Sequence, residues 1–231
     1  MQIPINSIYL ATEGEGAFIG TPQVFVRTQG CNIGCANCDS KDTWKFSSSS
    51  LMSMNKVLKE IKAAGGEIKR VSITGGDPLH PNILPATYSL VKKLKEMNYF
   101  VSLEAAGTYI ADEIFSILDF INFDYKTPST RIQSNPRLII KMADEYRGKF
   151  QVKAVVENRE DFDQSLATYL LLKKNLGEIN FSWYLTPAYS KEPFPRERFL
   201  QVVSWNEQHG GHFRVVGQQH KWLYGANKKR V

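Results

Sequence analysis

The sequence predicts an α/β fold built on a parallel sheet that closes, fully or in part, into a barrel. Three observations point there. Short runs rich in β-branched and aromatic residues alternate with longer stretches of helical apolar spacing. The alternation persists along most of the 231 residues without a long linker or an internal repeat, which is the pattern of repeated β-then-α units. The chemically suggestive motifs fall directly after predicted strands, where such folds place their sites.

The first strand read from the sequence is Gln23 to Thr28 (QVFVRT), ending at Gly30. Residues from about Trp44 to Ser53 read as a polar loop. A helix follows from Ser53 to Ala64, with Val57, Leu58 and Ile61 on one face and Gly65-Gly66 as its stop. Arg70 to Thr74 is a strand running into Gly75-Gly76. Leu84 to Met97 is helical, Phe100 to Glu104 a strand, and Phe120 to Tyr125 another. Pro136 to Tyr146 is a helix, Phe150 to Val156 a strand and Asp161 to Asn175 a helix. Ile179 to Leu185, Arg196 to His209 and Phe213 to Val216 complete the series as strand, helix and strand. We expect one domain over residues 1–231, a length that supports a single sizeable core.

The composition is 42% apolar and 23% charged, a balance that excludes a disordered chain. No apolar run approaches the roughly 20 residues needed to cross a bilayer. The start, MQIPINSIYLATEGEG, lacks a basic segment followed by an apolar core, so a cytoplasmic location is expected. The net charge is +6, with Lys228-Lys229-Arg230 the densest basic run; it reads as a solvated tail. No aromatic residues interleave with it as a nucleic-acid stacking surface would need, so no direct nucleic-acid partner is expected.

The chain has three cysteines, Cys31, Cys35 and Cys38, all in GCNIGCANCD. An odd, crowded set cannot staple distant parts of a fold. Three thiolates on one short loop suit three irons of a cubane cluster and leave the fourth iron open to an exogenous ligand. A structural zinc site wants four ligands; His80 and His220 stand far from any local zinc-finger spacing. TGGDP (Thr74 to Pro78) supplies glycines that let backbone approach a ligand closely, and Glu104 ends the strand VSLE.

With these motifs in this order, the chain resembles the radical S-adenosylmethionine (SAM) enzymes, and the resemblance implies a single-domain partial (β/α) barrel of the radical SAM type. In that family Cys31, Cys35 and Cys38 would hold a [4Fe-4S] cluster whose open iron chelates SAM. Asn37 falls at the position, usually aromatic, that leans on the adenine. Gly75 and Gly76 resemble the glycine-rich motif that holds the SAM amino group, with Asp77 where Glu is commoner. Glu104 resembles the carboxylate that meets the ribose hydroxyls. Asp39, Asp124 and Lys126, and the strand end Leu185 to Ala188, are further SAM-side positions.

A narrower resemblance runs nearly the whole length. TEGEGAFIGTPQVFVRTQGCN is similar to the TxQGEGxxxGxPxxFVRxxGCN pattern of the 7-carboxy-7-deazaguanine synthase family, and CDSKDTW, DYKTPST and QQHKWLYG follow in order. The resemblance implies ring contraction of 6-carboxy-5,6,7,8-tetrahydropterin to 7-carboxy-7-deazaguanine with loss of ammonia, assisted by Mg²⁺. It further implies a flavodoxin- or ferredoxin-like electron donor and a homodimer. On the substrate side it implies Thr12, Glu13, Gly14, Glu15, Arg27, Thr74 and His220, with Ser40 at the magnesium position. Glu13 stands where the family often has Gln; a carboxylate accepts from a guanidine-like edge but cannot donate. Arg27 can grip a carboxylate with two parallel bonds. Two other readings stay open on residues alone: a glycyl-radical activase, and a non-catalytic iron-sulfur or zinc protein.

Overall fold

The computed structural model describes residues 1–231. Nine strands form one sheet in the order β3-β1-β2-β4-β5-β6-β7-β8-β9. From β2 (Pro22–Thr28) the strands β4 (Arg70–Gly75), β5 (Phe100–Ala105), β6 (Phe120–Asp124), β7 (Phe150–Val156), β8 (Ser182–Pro187) and β9 (Arg214–Val215) run parallel. The edges β3 and β9 do not pair, so the barrel is partial.

Two strands escaped the sequence reading. β1 (Gln2–Thr12) pairs antiparallel with β2, and β3 (Leu51–Ser53) pairs antiparallel with β1, inside the stretch expected to be loop. β1 lacks a clean alternation: Pro4 interrupts the donors, a bulge shifts the register between Ile5 and Ser7, and most of its later residues are only half-buried. β8 begins at Ser182, three residues later than Ile179, and β9 is two residues long.

The helices follow their local signals. α1 (Met54–Gly65) is capped by Ser53, whose Oγ accepts from Lys56 N at 3.4 Å, and ends where Gly66 takes φ +55°. α2 (Leu84–Glu96) carries Pro85 in its first turn. The short α3 (Asp112–Phe115) was not foreseen. α4 (Pro136–Glu145) and α5 (Arg159–Leu176) start on capping Asn135 and Asn158. α6 (Arg196–Gln208) and α7 (Gln219–Tyr224) finish the chain's regular structure. A continuous cluster of 41 buried residues lies between sheet and helices, so the strands share one core. No helix is long and apolar enough to cross a membrane.

The segment after β1 closes the amino-terminal mouth of the half-barrel. Phe18 packs edge-on against Phe100 and Phe120, at the first residues of β5 and β6, with centroids 5.7 and 4.7 Å away. The Arg70 guanidinium lies 4.0 Å from the Phe18 ring centroid and 3.9 Å from that of Phe100. Ala17 N donates to Gln151 Oε1 at 2.7 Å. With that mouth plugged, ligands reach the interior from the carboxyl ends of the strands.

Candidate active site

The cysteine loop leaves β2 through Gly30, whose φ of +117° favours glycine. Gln29 organises it from beneath: Nε2 donates to Asp42 O (3.0 Å) and Lys45 O (2.7 Å), and Oε1 accepts from Asn6 Nδ2 (2.8 Å). Gly30 N and Cys31 N donate to the carbonyls of Thr43 and Trp44. Cys31, Cys35 and Cys38 are free and half-buried. Ile33 N points to Cys31 Sγ, and Ser40 N and Trp44 Nε1 point to Cys38 Sγ, each at 3.4 Å. N–H donors aimed at sulfur stabilise thiolate charge, and this donor set fits an iron-sulfur cluster. No three His, Cys, Asp or Glu side chains are gathered closely enough to ligate one ion; a cubane spreads its thiolates over three irons and needs a wider triangle. Burial pushes the Cys35 thiol up while Lys126 pulls it down.

Facing this loop, β4 delivers Thr74, Gly75 and Gly76. Gly75 has φ +114°, and a Cβ on Gly76 would overlap the carbonyl of Gly30, so the glycine-rich turn and the cysteine loop are in backbone contact. Asp77 points back into its own turn, its Oδ1 accepting from Leu79 N at 3.0 Å. Asp124 and Lys126 pair with each other at 2.7 Å. Asn37 Nδ2 donates to Glu157 Oε1 at 2.8 Å, a polar clasp between the cysteine loop and the end of β7.

The interior floor is acidic and tightly bonded. Glu13 Oε2 accepts from Gln23 Nε2 at 2.6 Å, and its Oε1 from Gly14 N at 3.1 Å. Burial raises the Glu13 carboxyl against the pull of Lys153. Glu104 is pushed up to about 7, first by burial, with Lys153 opposing and Glu13 and Asp124 adding to the rise. Lys153 Nζ lies 2.7 Å from Glu104 and 3.3 Å from Glu15. Gly14 is glycine because a Cβ there would overlap the His220 ring, and its carbonyl accepts from Gln219 N at 2.8 Å.

The opposite wall is basic. Arg27 on β2 is fixed by Tyr9, whose hydroxyl accepts from Nε at 3.0 Å, and its Nη1 reaches Ser40 Oγ at 3.3 Å. Ser40 Oγ donates to Asp39 Oδ1 at 2.7 Å. Desolvation opposes the Asp39 charge, yet Ser40, Lys221 and Arg27 hold its carboxyl below the usual range. Burial lowers the His220 imidazole, with Lys221 and Arg27 adding to the effect and Glu15 and Asp39 opposing it.

One cavity of about 870 Å³ joins these walls, and all eighteen side chains and glycines singled out from the sequence line it: Thr12, Glu13, Gly14, Glu15, Arg27, Cys31, Cys35, Asn37, Cys38, Asp39, Ser40, Thr74, Gly75, Gly76, Glu104, Asp124, Lys126 and His220. Lys228, Lys229 and Arg230 are exposed, as expected of a solvated tail, although residues 226–231 also border the cavity. Lys229 pairs with Asp42 at 2.6 Å, and Ala226 N donates to Glu192 Oε1 at 2.8 Å. The sequence reading missed Tyr9, Gln29, Lys153, Glu157 and Lys221. A lysine amid the apolar strand FQVKAVV was the one available signal, since such a charge must find a buried partner.

A parallel half-barrel with CxxxCxxC thiols at its carboxyl rim, facing a Gly-Gly turn, defines a radical SAM enzyme that uses a [4Fe-4S] cluster and SAM. Residues 12–122 match the family described as a 4Fe-4S single cluster domain. The chain is 32% identical over 171 residues to 7-carboxy-7-deazaguanine synthase of Bacillus subtilis, covering 70% of this chain and 69% of that one. It is 28% identical over 222 residues to the synthase of Thermoplasma acidophilum, covering 96% and 97%. The solved structure of QueE from Escherichia coli superposes with a TM-score of 0.68 at 22% identity, covering 95% of both chains, which shows the shared fold. The chain belongs to the 7-carboxy-7-deazaguanine synthase family.

Proposed function

We propose that the cavity binds 6-carboxy-5,6,7,8-tetrahydropterin beside SAM and contracts the pterin ring to 7-carboxy-7-deazaguanine with loss of ammonia, in 7-deazapurine synthesis of the queuosine or archaeosine type. The single observation that carries this reading is the polarised cavity: a basic wall at Arg27 and an acidic floor at Glu13 and Glu15 on either side of one space that the cysteine loop also lines. When bound, the cluster and SAM would supply the one-electron chemistry that abstracts hydrogen at C6 of the pterin.

The chain's own residues bind, orient and exclude water. Cys31, Cys35 and Cys38 hold the cluster. Gly75 and Gly76 admit the SAM amino group, Glu104 accepts from the ribose hydroxyls, and Asn37, Asp39, Asp124 and Lys126 complete the SAM side. The Arg27 guanidinium takes the substrate carboxylate, with His220 beside it. Glu13 and Glu15 accept from the donor-rich edge of the pterin, and Thr12, Gly14 and Thr74 shape that end. Ser40 Oγ and the adjacent Asp39 offer the hard oxygens magnesium prefers. The plugged amino-terminal mouth keeps water from the interior. Residues 1–231 act as one radical SAM domain, working as a cytoplasmic homodimer served by a flavodoxin- or ferredoxin-like donor.

The test is anaerobic reconstitution with SAM, Mg²⁺, a strong reductant and the carboxytetrahydropterin, followed by mass spectrometry. Formation of 7-carboxy-7-deazaguanine is the expected result. Release of 5′-deoxyadenosine without that product would overturn the substrate assignment.

A further inference from the structure

Lys153 has no role in the reaction as described so far, yet it is among the most constrained side chains of the molecule. It sits in the middle of β7, between Asp124 on β6 and Tyr184 on β8, with its side chain 9% exposed. Its ammonium contacts two carboxylates that come from unrelated parts of the chain. Glu104 is the penultimate residue of β5, and Glu15 belongs to the segment that crosses back after β1.

The remaining oxygens of both carboxylates are committed as well. Glu15 Oε2 accepts from Thr186 Oγ1 at 3.1 Å. Glu104 Oε1 accepts from Asn122 Nδ2, and Asn122 Oδ1 accepts from Gln151 Nε2 at 2.6 Å. Gln151 Oε1 in turn accepts from Ala17 N, two residues beyond Glu15. The charged groups around the ammonium are Glu104, Glu15, Asp124 and Glu13, with Lys126 as the other cation. A buried ion pair of this kind is a poor way to stabilise a barrel, because packed apolar residues do as well without the desolvation cost. What the lysine adds is a fixed relation between two carboxylates that both line the cavity.

We propose that Lys153 is a positioning residue that ties Glu104, on the SAM side, to Glu15, on the pterin side, and so holds the two ligands in one register. This rests on the assignment of those two carboxylates given above. The reacting atoms of the two ligands must lie in near-attack geometry, and a misplacement of about 1 Å costs roughly 100-fold in rate. Without the bridge each ligand still binds its own wall, but their relative placement loosens.

The test compares Lys153→Met, Lys153→Gln and Lys153→Arg as reconstituted holoenzymes with wild-type cluster absorption. We expect the Met and Gln variants to release at least about ten times more 5′-deoxyadenosine per product formed, as relaxed positioning implies. The acidic limb of the rate-against-pH profile should move up by about one unit, because Glu104 loses its neighbouring cation. Lys153→Arg keeps the charge and should return the limb toward wild type. A ratio and a limb that stay at wild-type values would overturn the proposal. If Lys153→Met does not fold, Lys153→Gln, which keeps a polar though shorter and uncharged donor, carries the test. If the wild type forms no product from the pterin, the substrate reading fails by itself. Lys153 is then judged on SAM affinity in Glu104→Gln, Lys153→Gln and the double variant: non-additive losses support the bridge, additive ones overturn it.

Discussion

The cysteine loop and the acidic floor share one cavity but are built in opposite ways. The loop is half-exposed, held by main-chain bonds and by Gln29, and the sulfurs of Cys31 and Cys38 are met by N–H donors at 3.4 Å. The floor is more deeply buried, and its carboxylates are fixed by side chains from four strands: Gln23, Asn122, Lys153 and Thr186 act directly on Glu13, Glu15 and Glu104. The contrast teaches that the two ends solve different problems. A loop of backbone donors gives a soft, anionic sulfur site, whereas the floor presents fixed hydrogen-bond acceptors whose direction sets which ligand edge fits.

The largest effects should come from the loop end. Cys35→Ala should abolish SAM cleavage outright, read as absence of 5′-deoxyadenosine and loss of cluster absorption. Full SAM cleavage by that variant would remove Cys35 from the ligand set. Arg27→Ala should separate the two ends: product formation falls by roughly 100-fold, as for truncation of a buried charged partner, while SAM cleavage without product persists. Normal product formation would take Arg27 out of the substrate wall. Between these lies Gly76→Ala, where the added Cβ overlaps the Gly30 carbonyl. It should cost about 2 kcal/mol in denaturant unfolding, since backbone rather than a flexible side chain must give way.

The two regions also differed in how far the sequence disclosed them. The loop end was legible because its chemistry is local: the cysteines lie within eight positions, and Gly75-Gly76 follow a strand of plain β-branched type. The floor was legible only residue by residue. Glu13, Glu15 and Glu104 were found through a resemblance, but Lys153 was not, because its partners are 138 and 49 positions away. Strand β1 was missed for a related reason, since a strand interrupted by a proline and a bulge carries little period-2 signal. The basic tail is solvent-exposed as the sequence suggested, but its contact from Lys229 to Asp42 spans most of the chain and could not be read locally.

The floor makes a pH prediction that the loop does not. Glu104 is raised from 4.5 to about 7, so its neutral form is favoured over the neutral range's lower part. A carboxylate accepts two ribose hydroxyls better than a carboxylic acid, so SAM affinity should tighten as pH rises from about 6 to about 8 and the proton leaves. Glu104→Gln should flatten that dependence in a calorimetric titration. A slope that survives the substitution would assign the titration to another group.

The smallest effect belongs to the contact that joins the tail to the loop end. Lys229 and Asp42 meet at 2.6 Å, but their side chains stay 60% and 49% exposed. Water screens such a pair, and ordering two long side chains offsets much of the attraction. Lys229→Ala should therefore cost about 0.5 kcal/mol or less, and raising the salt to about 1 M should erase even that. The tail's other anchor, Ala226 N to Glu192, is a backbone bond that the substitution leaves intact. A loss of several times that size, insensitive to salt, would mean that residues 226–231 are packed into the cavity wall as firmly as the floor is.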